Sequence, residues 1–130
     1  MERRMKMQFR DTKHEEIFNE LCEKMRYSDT YHQSLAYLIA LDSVCREHIP
    51  EIFNIDEDGI EPSCINKAWQ TSTSKRTTRL AFNLWNGTTS DITSDGEEYN
   101  SNLYAVDEIF CSEYAPYYWQ AIKLRYPEYV

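Results

Sequence analysis

The side chains best suited to chemistry crowd between Trp69 and Arg79. Hydroxyls at positions 71–74 stand beside Lys75, Arg76 and Arg79, directly ahead of an apolar helical pattern. A helix N-terminus presents free N–H groups and a partial positive charge. Hydroxyl donors and cations added there make a candidate anion site of Trp69, Ser72, Ser74, Lys75, Arg76 and Arg79, with the indole free to stack on a base. The same residues also have a purely structural use. Ser72, Thr73 and Ser74 are ordinary helix caps, and the three cations solvate an outer face or pair with acids elsewhere. No glycine-rich turn precedes them, so the stretch is not a P-loop.

Other chemistry-bearing residues are scattered. His14, His32 and His48 have no second ligand at i+3 or i+4 in a recognised motif, and surface or capping roles are expected for them. Cys22, Cys45, Cys64 and Cys111 are widely spaced, with no CxxC pattern, so no zinc site is expected. The run "DEDG" at 56–59 resembles a fragment of a calcium loop, but Ile65 stands where the closing Glu would be. No catalytic residue, metal or cofactor is assigned.

Charge is unevenly distributed. The chain has 130 residues and a net charge of -8, which disfavours a global attraction to nucleic acid or anionic lipid. Residues 42–61 carry seven acids and one base, residues 62–90 four bases and no acid, and residues 91–114 seven acids and no base. The basic stretch is an island between two acidic blocks. Seven of the ten tyrosines lie from Tyr99 onward, and "YYW" at 117–119 cannot face one core with all three rings. Tyr and Trp suit interfaces because they bury large area at low entropic cost. A candidate partner surface therefore comprises Asp95, Glu97, Glu98, Tyr99, Tyr104, Tyr114, Tyr117 and Tyr118. Its acids would imitate a phosphate track and steer a basic groove of another protein toward it.

The elements that position these residues read as helices. "TKHE" at 12–15 has the form of a capping box, and Ile17, Phe18, Leu21, Cys22 and Met25 follow at helical spacing. "YSDT" at 27–30 breaks this helix and caps a second, more apolar one through Leu35, Leu38 and Ile39. A short third helix spans 43–47. Ile52, Phe53, Ile55 and Ile60 around "DEDG" predict a small hairpin. A fourth helix runs from about Ser74 to Asn86, with Gly87 ending it. Residues 88–102 have no apolar period and predict a mobile surface loop. Two closing helices are expected over 103–111 and 115–126, the last anchored by Trp119, Ile122 and Tyr126. With 3 glycines and 4 prolines, an all-β chain is disfavoured. The expected fold is mainly α: a single compact domain over residues 1–130, of about five helices with a hairpin-like insertion. The longest apolar run, at 34–41, is too short to cross a bilayer and no signal peptide is evident, so a cytoplasmic protein with reduced thiols is expected.

"SKRTTRLAFNLWNG" at 74–87 resembles the S-K-x-x-x-R-L-A-F-N-L-[YW]-N segment of a small uncharacterised family of Firmicutes and their mobile elements. "HEEIFNEL" at 14–21, "LAYLIA" at 35–40 and "AIKLRYP" at 121–127 are similar to that family in the same order. The resemblance implies a small, mainly helical fold in a bacterial or phage setting, and carries no catalytic residue with it. The function expected is a non-catalytic protein-binding module, in its sharpest form a phage-type inhibitor of a host defence protein. The alternative is nucleic-acid or other anion binding at Trp69–Arg79. A homodimer is compatible with the aromatic cluster; no membrane partner is expected.

Overall fold

The computed structural model describes residues 6–99 and 102–129, and they form a mainly α fold. Six α-helices occur among the described residues: α1 (Thr12–Lys24), α2 (Thr30–Leu41), α3 (Ile49–Ile52), α4 (Ser72–Asn86), α5 (Val106–Ile109) and α6 (Ala115–Arg125). Two antiparallel hairpins join them, β1 (Phe53–Asn54) with β2 (Gly59–Ile60) and β3 (Asp91–Ile92) with β4 (Glu98–Tyr99).

Helix α2 sits at the centre. Residues 34–41 are all buried, so this helix is enclosed around its circumference. It packs against α1, α4 and α6. Leu35, Leu38 and Ile39 meet Phe18 and Leu21 of α1 and Leu80, Phe82 and Leu84 of α4 in one core. Ile109 and Tyr118 complete it from the C-terminal side.

Side chains define the helix starts. Asp11, not Thr12, caps α1, accepting from the His14 amide at 2.7 Å. Asp29 caps α2, accepting from the His32 amide at 2.9 Å. Thr71 caps α4 in a reciprocal box with Ser74, so this helix begins earlier than the apolar pattern suggests. Gly87 ends α4 with φ +79, a left-handed conformation that glycine reaches without steric cost.

Three further expectations change. The third helix becomes a 3-10 turn at Cys45–Glu47, followed by the single turn α3, because Pro50 starts a new helix rather than ending one. The stretch 88–102 contains the β3–β4 hairpin, whose first residue, Asp91, is 3% exposed. Helix α6 buries Tyr118 and Ala121 and turns Trp119 outward, so Trp119 is not a core anchor.

His14 also moves from the surface to the interior, where it is fully buried. Its Nε2 lies 2.9 Å from the Tyr37 carbonyl and its Nδ1 accepts from the Arg10 amide at 3.1 Å. That pair of partners requires the neutral ring with its proton on Nε2. Burial, with Arg46 nearby, lowers its pKa from 6.5 to about 4.

Two predictions follow from this packing. Leu38→Ala should destabilise the fold by about 2–5 kcal/mol, read as a lower denaturant midpoint with unchanged slope. For His14 the folded pKa lies below the unfolded one, so its stabilising contribution is complete above about pH 6.5 and is lost as pH falls toward 4. The loss should approach 3 kcal/mol, at about 1.4 kcal/mol per pKa unit. A His14→Gln variant should lack that slope in equilibrium unfolding between pH 6.5 and 4.

Candidate functional site

The hydroxyls of the basic island serve the helix they precede. Ser74 is buried; its amide donates to Thr71 Oγ1 at 3.0 Å, while its hydroxyl lies 2.7 Å from the Thr71 amide and 2.6 Å from Gln70 Oε1. Ser72 is exposed. Trp69 does not present a free stacking face on both sides. Its ring lies parallel to His48 at 4.1 Å, and its Nε1 donates to Glu51 Oε1 at 3.1 Å. His48 Nδ1 meets the other oxygen of the same carboxylate at 2.7 Å, so one glutamate aligns both rings.

The cations divide by depth. Lys75 and Arg76 are half-buried, and Arg76 Nε donates to the Glu108 carbonyl at 3.1 Å. Arg79 is 8% exposed and turns inward to Asp91. Its Nε donates to both carboxylate oxygens at 3.2 Å and its Nη2 to Oδ2 at 2.8 Å. Tyr104 adds a hydroxyl donor to Oδ1 at 2.9 Å and Tyr99 one to Oδ2 at 3.3 Å. Burial opposes ionisation of Asp91, but Arg79 and the two phenols overcome it and hold its pKa below the usual carboxylate value. Ser72, Lys75, Arg76, Arg79, Leu103 and Glu108 line a small cavity of about 170 Å³. An anion entering it would meet Lys75 and Arg76 as cations, since the charge of Arg79 is balanced by Asp91.

The tyrosine-rich end separates into inward and outward residues. Tyr118 is fully buried; its hydroxyl lies 2.6 Å from Thr77 Oγ1 and 3.3 Å from Ser112 Oγ. Thr77 in turn donates to the buried Asp42 at 3.0 Å. Burial pushes the Tyr118 phenol up to about 12. Tyr114 is 9% exposed, with the Arg10 guanidinium over its ring at 5.1 Å. Tyr117 is half-buried against His14. Tyr104 is committed to Asp91, and burial and that carboxylate raise its phenol well above the ordinary value. Tyr118 and Tyr114 therefore belong to the interior, not to a contact surface.

Trp119 is 53% accessible and tilted against the half-buried Phe110 at 4.7 Å; Tyr27, Tyr31, Tyr99 and Tyr129 are the other exposed rings among the described residues. Val106, one helical turn before Phe110, is 67% exposed. Asp107 and Glu113 stand exposed in the same segment. Asp95, Glu97 and Glu98 are exposed on the β3–β4 hairpin, and Tyr99 is 42% exposed. Sequence reasoning placed Trp119 on the wrong face and did not single out Val106 or Phe110 for contact. The one available clue was that "YYW" must turn at least one ring outward.

Cys45 and Cys64 are buried, Cys22 is half-buried and Cys111 is exposed. Burial raises the thiols of Cys45 and Cys64, the latter to about 12. Among the described residues no group of three His, Cys, Asp or Glu side chains is placed to hold a metal ion. No helix among them is long and apolar enough to cross a membrane.

What these residues define is a mainly helical domain with a satisfied polar interior. Residues 4–130 match the model of a family of unknown function, DUF6075, and the chain belongs to that family. Neither a characterised protein nor a solved structure matches it.

The Arg79–Asp91 pair yields a direct test. Asp91→Asn leaves a buried guanidinium without its counter-charge and should cost about 3–5 kcal/mol. Replacing both residues by apolar ones of similar size should cost less than the single change, measured in a double-mutant unfolding cycle.

Proposed function

We propose that the chain is a protein-binding module whose contact surface centres on Trp119, with Phe110 and Val106 beside it and acids around it. The observation that carries this reading is the exposure of a tryptophan, Trp119, packed on Phe110 with the exposed Val106 one turn before Phe110. Tryptophan is a preferred anchor of interfaces, where an apolar centre is desolvated inside a polar rim. The exposed Asp107, Glu113 and Lys123 supply such a rim, in which acids outnumber the base and favour a basic partner surface. A second copy of this chain would bring acids against acids, so an unlike partner fits better. In its concrete form, the acidic face occupies the basic nucleic-acid groove of a bacterial defence protein, with Asp95, Glu97 and Glu98 extending the track.

Nucleic acid is the competing ligand, through Lys75 and Arg76. The two readings separate in one experiment. Wild-type protein, Trp119→Ala and Arg76→Glu are used as baits in a bacterial lysate, with and without nuclease. A nuclease-resistant protein lost from the Trp119→Ala bait but kept by Arg76→Glu supports the proposal. Against that purified partner, Trp119→Ala should weaken binding by about 2 kcal/mol, roughly 30-fold. Retention of every captured protein by Trp119→Ala overturns it, as does nuclease-sensitive capture lost with Arg76→Glu.

A further inference from the structure

His32 is held in an arrangement that only one protonation state satisfies. Its side chain is 5% exposed, and each ring nitrogen faces a carboxylate: Nδ1 lies 2.7 Å from Asp29 Oδ1 and Nε2 lies 2.6 Å from Asp58 Oδ1. A carboxylate only accepts, and a neutral imidazole has only one N–H to give. Both contacts are hydrogen bonds only when the ring is an imidazolium. No expectation from the sequence assigned His32 this place.

The two carboxylates belong to different elements. Asp29 caps α2 and also accepts from the His32 amide. Asp58 lies 26 residues away in the turn between β1 and β2 and has φ +54, a left-handed conformation that residues other than glycine adopt sparingly. Rings enclose the imidazolium on its remaining sides: Trp85 of α4 edge-on at 4.8 Å, Phe53 of β1 at 6.4 Å and Tyr27 at 5.6 Å. Tyr27, Asp29 and Asp58 are the titratable groups around it; the nearby Arg26 turns to the Asp56 carbonyl at 2.7 Å.

We propose that His32 is a proton-operated latch that holds the β1–β2 hairpin against the start of α2, and that loss of its proton releases the hairpin. Neutral His32 keeps one carboxylate bond and leaves the other oxygen facing a lone pair. The bond to Asp58 is the one that joins separate elements, and it is lost when the remaining proton stays on Nδ1 toward Asp29; the turn is then held only by its local bonds and by Arg26 on the Asp56 carbonyl. The hairpin supplies Phe53, Asn54, Ile55 and Asp56 to one wall of an open groove of about 640 Å³, opposite Lys24 and Ile49. The latch therefore fixes that wall as well.

The direction of the switch follows from linkage. Burial favours the neutral ring, but the bonds to Asp29 and Asp58 outweigh it and raise the His32 pKa above 6.5. Its contribution is complete below about 6.5 and is lost as pH rises through the folded midpoint. The acid limb belongs to Asp29. Burial opposes its ionisation, but the His32 bonds hold its pKa below 3.8, so its contribution fades only as pH falls through that lowered value. The latch is closed between these limits and opens on the alkaline side.

The test is an NMR titration of the full chain from pH 5 to 9, following the His32 ring nitrogens together with backbone amide exchange corrected for its intrinsic pH dependence. The expected result is two protonated ring nitrogens below a midpoint above 6.5. Protection of the Glu61 amide, which donates to the Ile52 carbonyl at 2.8 Å beside the hairpin, should fall across the same midpoint. The fall should be about tenfold for each pKa unit by which the closed midpoint exceeds the open one. Asp58→Asn should move the midpoint down toward 6.5 and remove the pH dependence of hairpin protection. A midpoint at or below 6.5 in the wild type overturns the proposal. So does a raised midpoint with hairpin protection unchanged through it, which would leave His32 an ordinary buried ion pair.

Discussion

The enclosure of α2 is the constraint on which the rest of the molecule depends. A helix buried around its whole circumference has its last carbonyls cut off from water, and unpaired buried carbonyls are costly. Two arginines from outside the helix fill that end. Arg10 Nη1 donates to the Leu41 carbonyl at 2.7 Å, and Arg46 donates to the Ala40 and Leu41 carbonyls at 3.0 and 3.1 Å. Positive charge at a helix C-terminus also suits its dipole. Asp42, one residue further, accepts from the Val44 and Cys45 amides and turns the chain into the 3-10 segment. The N-terminal end of α2 is served by Asp29 and His32. The most apolar helix of the chain is thus anchored at both ends by charged side chains.

The same demand explains why so much of the polar sequence points inward. Thr77 and Thr78 lie on the buried face of α4 and would be poor core residues without partners. Thr77 finds Asp42 and Tyr118, and Thr78 returns its hydroxyl to the Ser74 carbonyl at 2.8 Å. Among the described residues, no buried side-chain nitrogen or oxygen lacks a hydrogen-bond partner. A network that is fully satisfied rigidifies a core, whereas a half-satisfied one destabilises it. This gives Tyr118 its place. Its ring fills the space beside α2 and its hydroxyl closes the chain of bonds from Asp42 to Ser112.

Local pattern revealed the four long helices α1, α2, α4 and α6, the first hairpin and the glycine at the end of α4, because each is written within a few neighbouring residues. It failed where two patterns compete or where the partner is distant. In α6 the pair Trp119–Ile122 and the pair Tyr118–Ala121 have the same spacing and differ by one residue, a rotation of about 100°. Both are apolar, so periodicity cannot choose between them. Thr77 and Ser112, waiting for a hydroxyl, decide in favour of Tyr118. Asp91 read as one more acid in a polar loop because nothing local marks it. Its partner is Arg79, twelve residues earlier on a helix, and the pairing exists only once the hairpin folds back. His14 and His32 were hidden in the same way, by contacts 23 and 26 residues away.

These inward commitments change what the surface charge means. The basic island contains four cations in sequence, but Arg79 is neutralised inside and Arg76 is tied by its Nε to the Glu108 backbone. Field strength at a distance depends on which charges remain near the surface, since screening at physiological salt acts over about 8 Å. Asp91 is withdrawn from the acidic block as well, yet Asp95, Glu97, Glu98, Asp107 and Glu113 stay exposed. Each block therefore gives up one charge to the Arg79–Asp91 pair, and the acidic block, the larger of the two, keeps the greater exposed charge. Exposed Trp119 is preceded in the chain by the exposed Asp107 and Glu113 and followed one helical turn later by the exposed Lys123, so acids outnumber the base there and a cationic partner would be steered toward an apolar anchor.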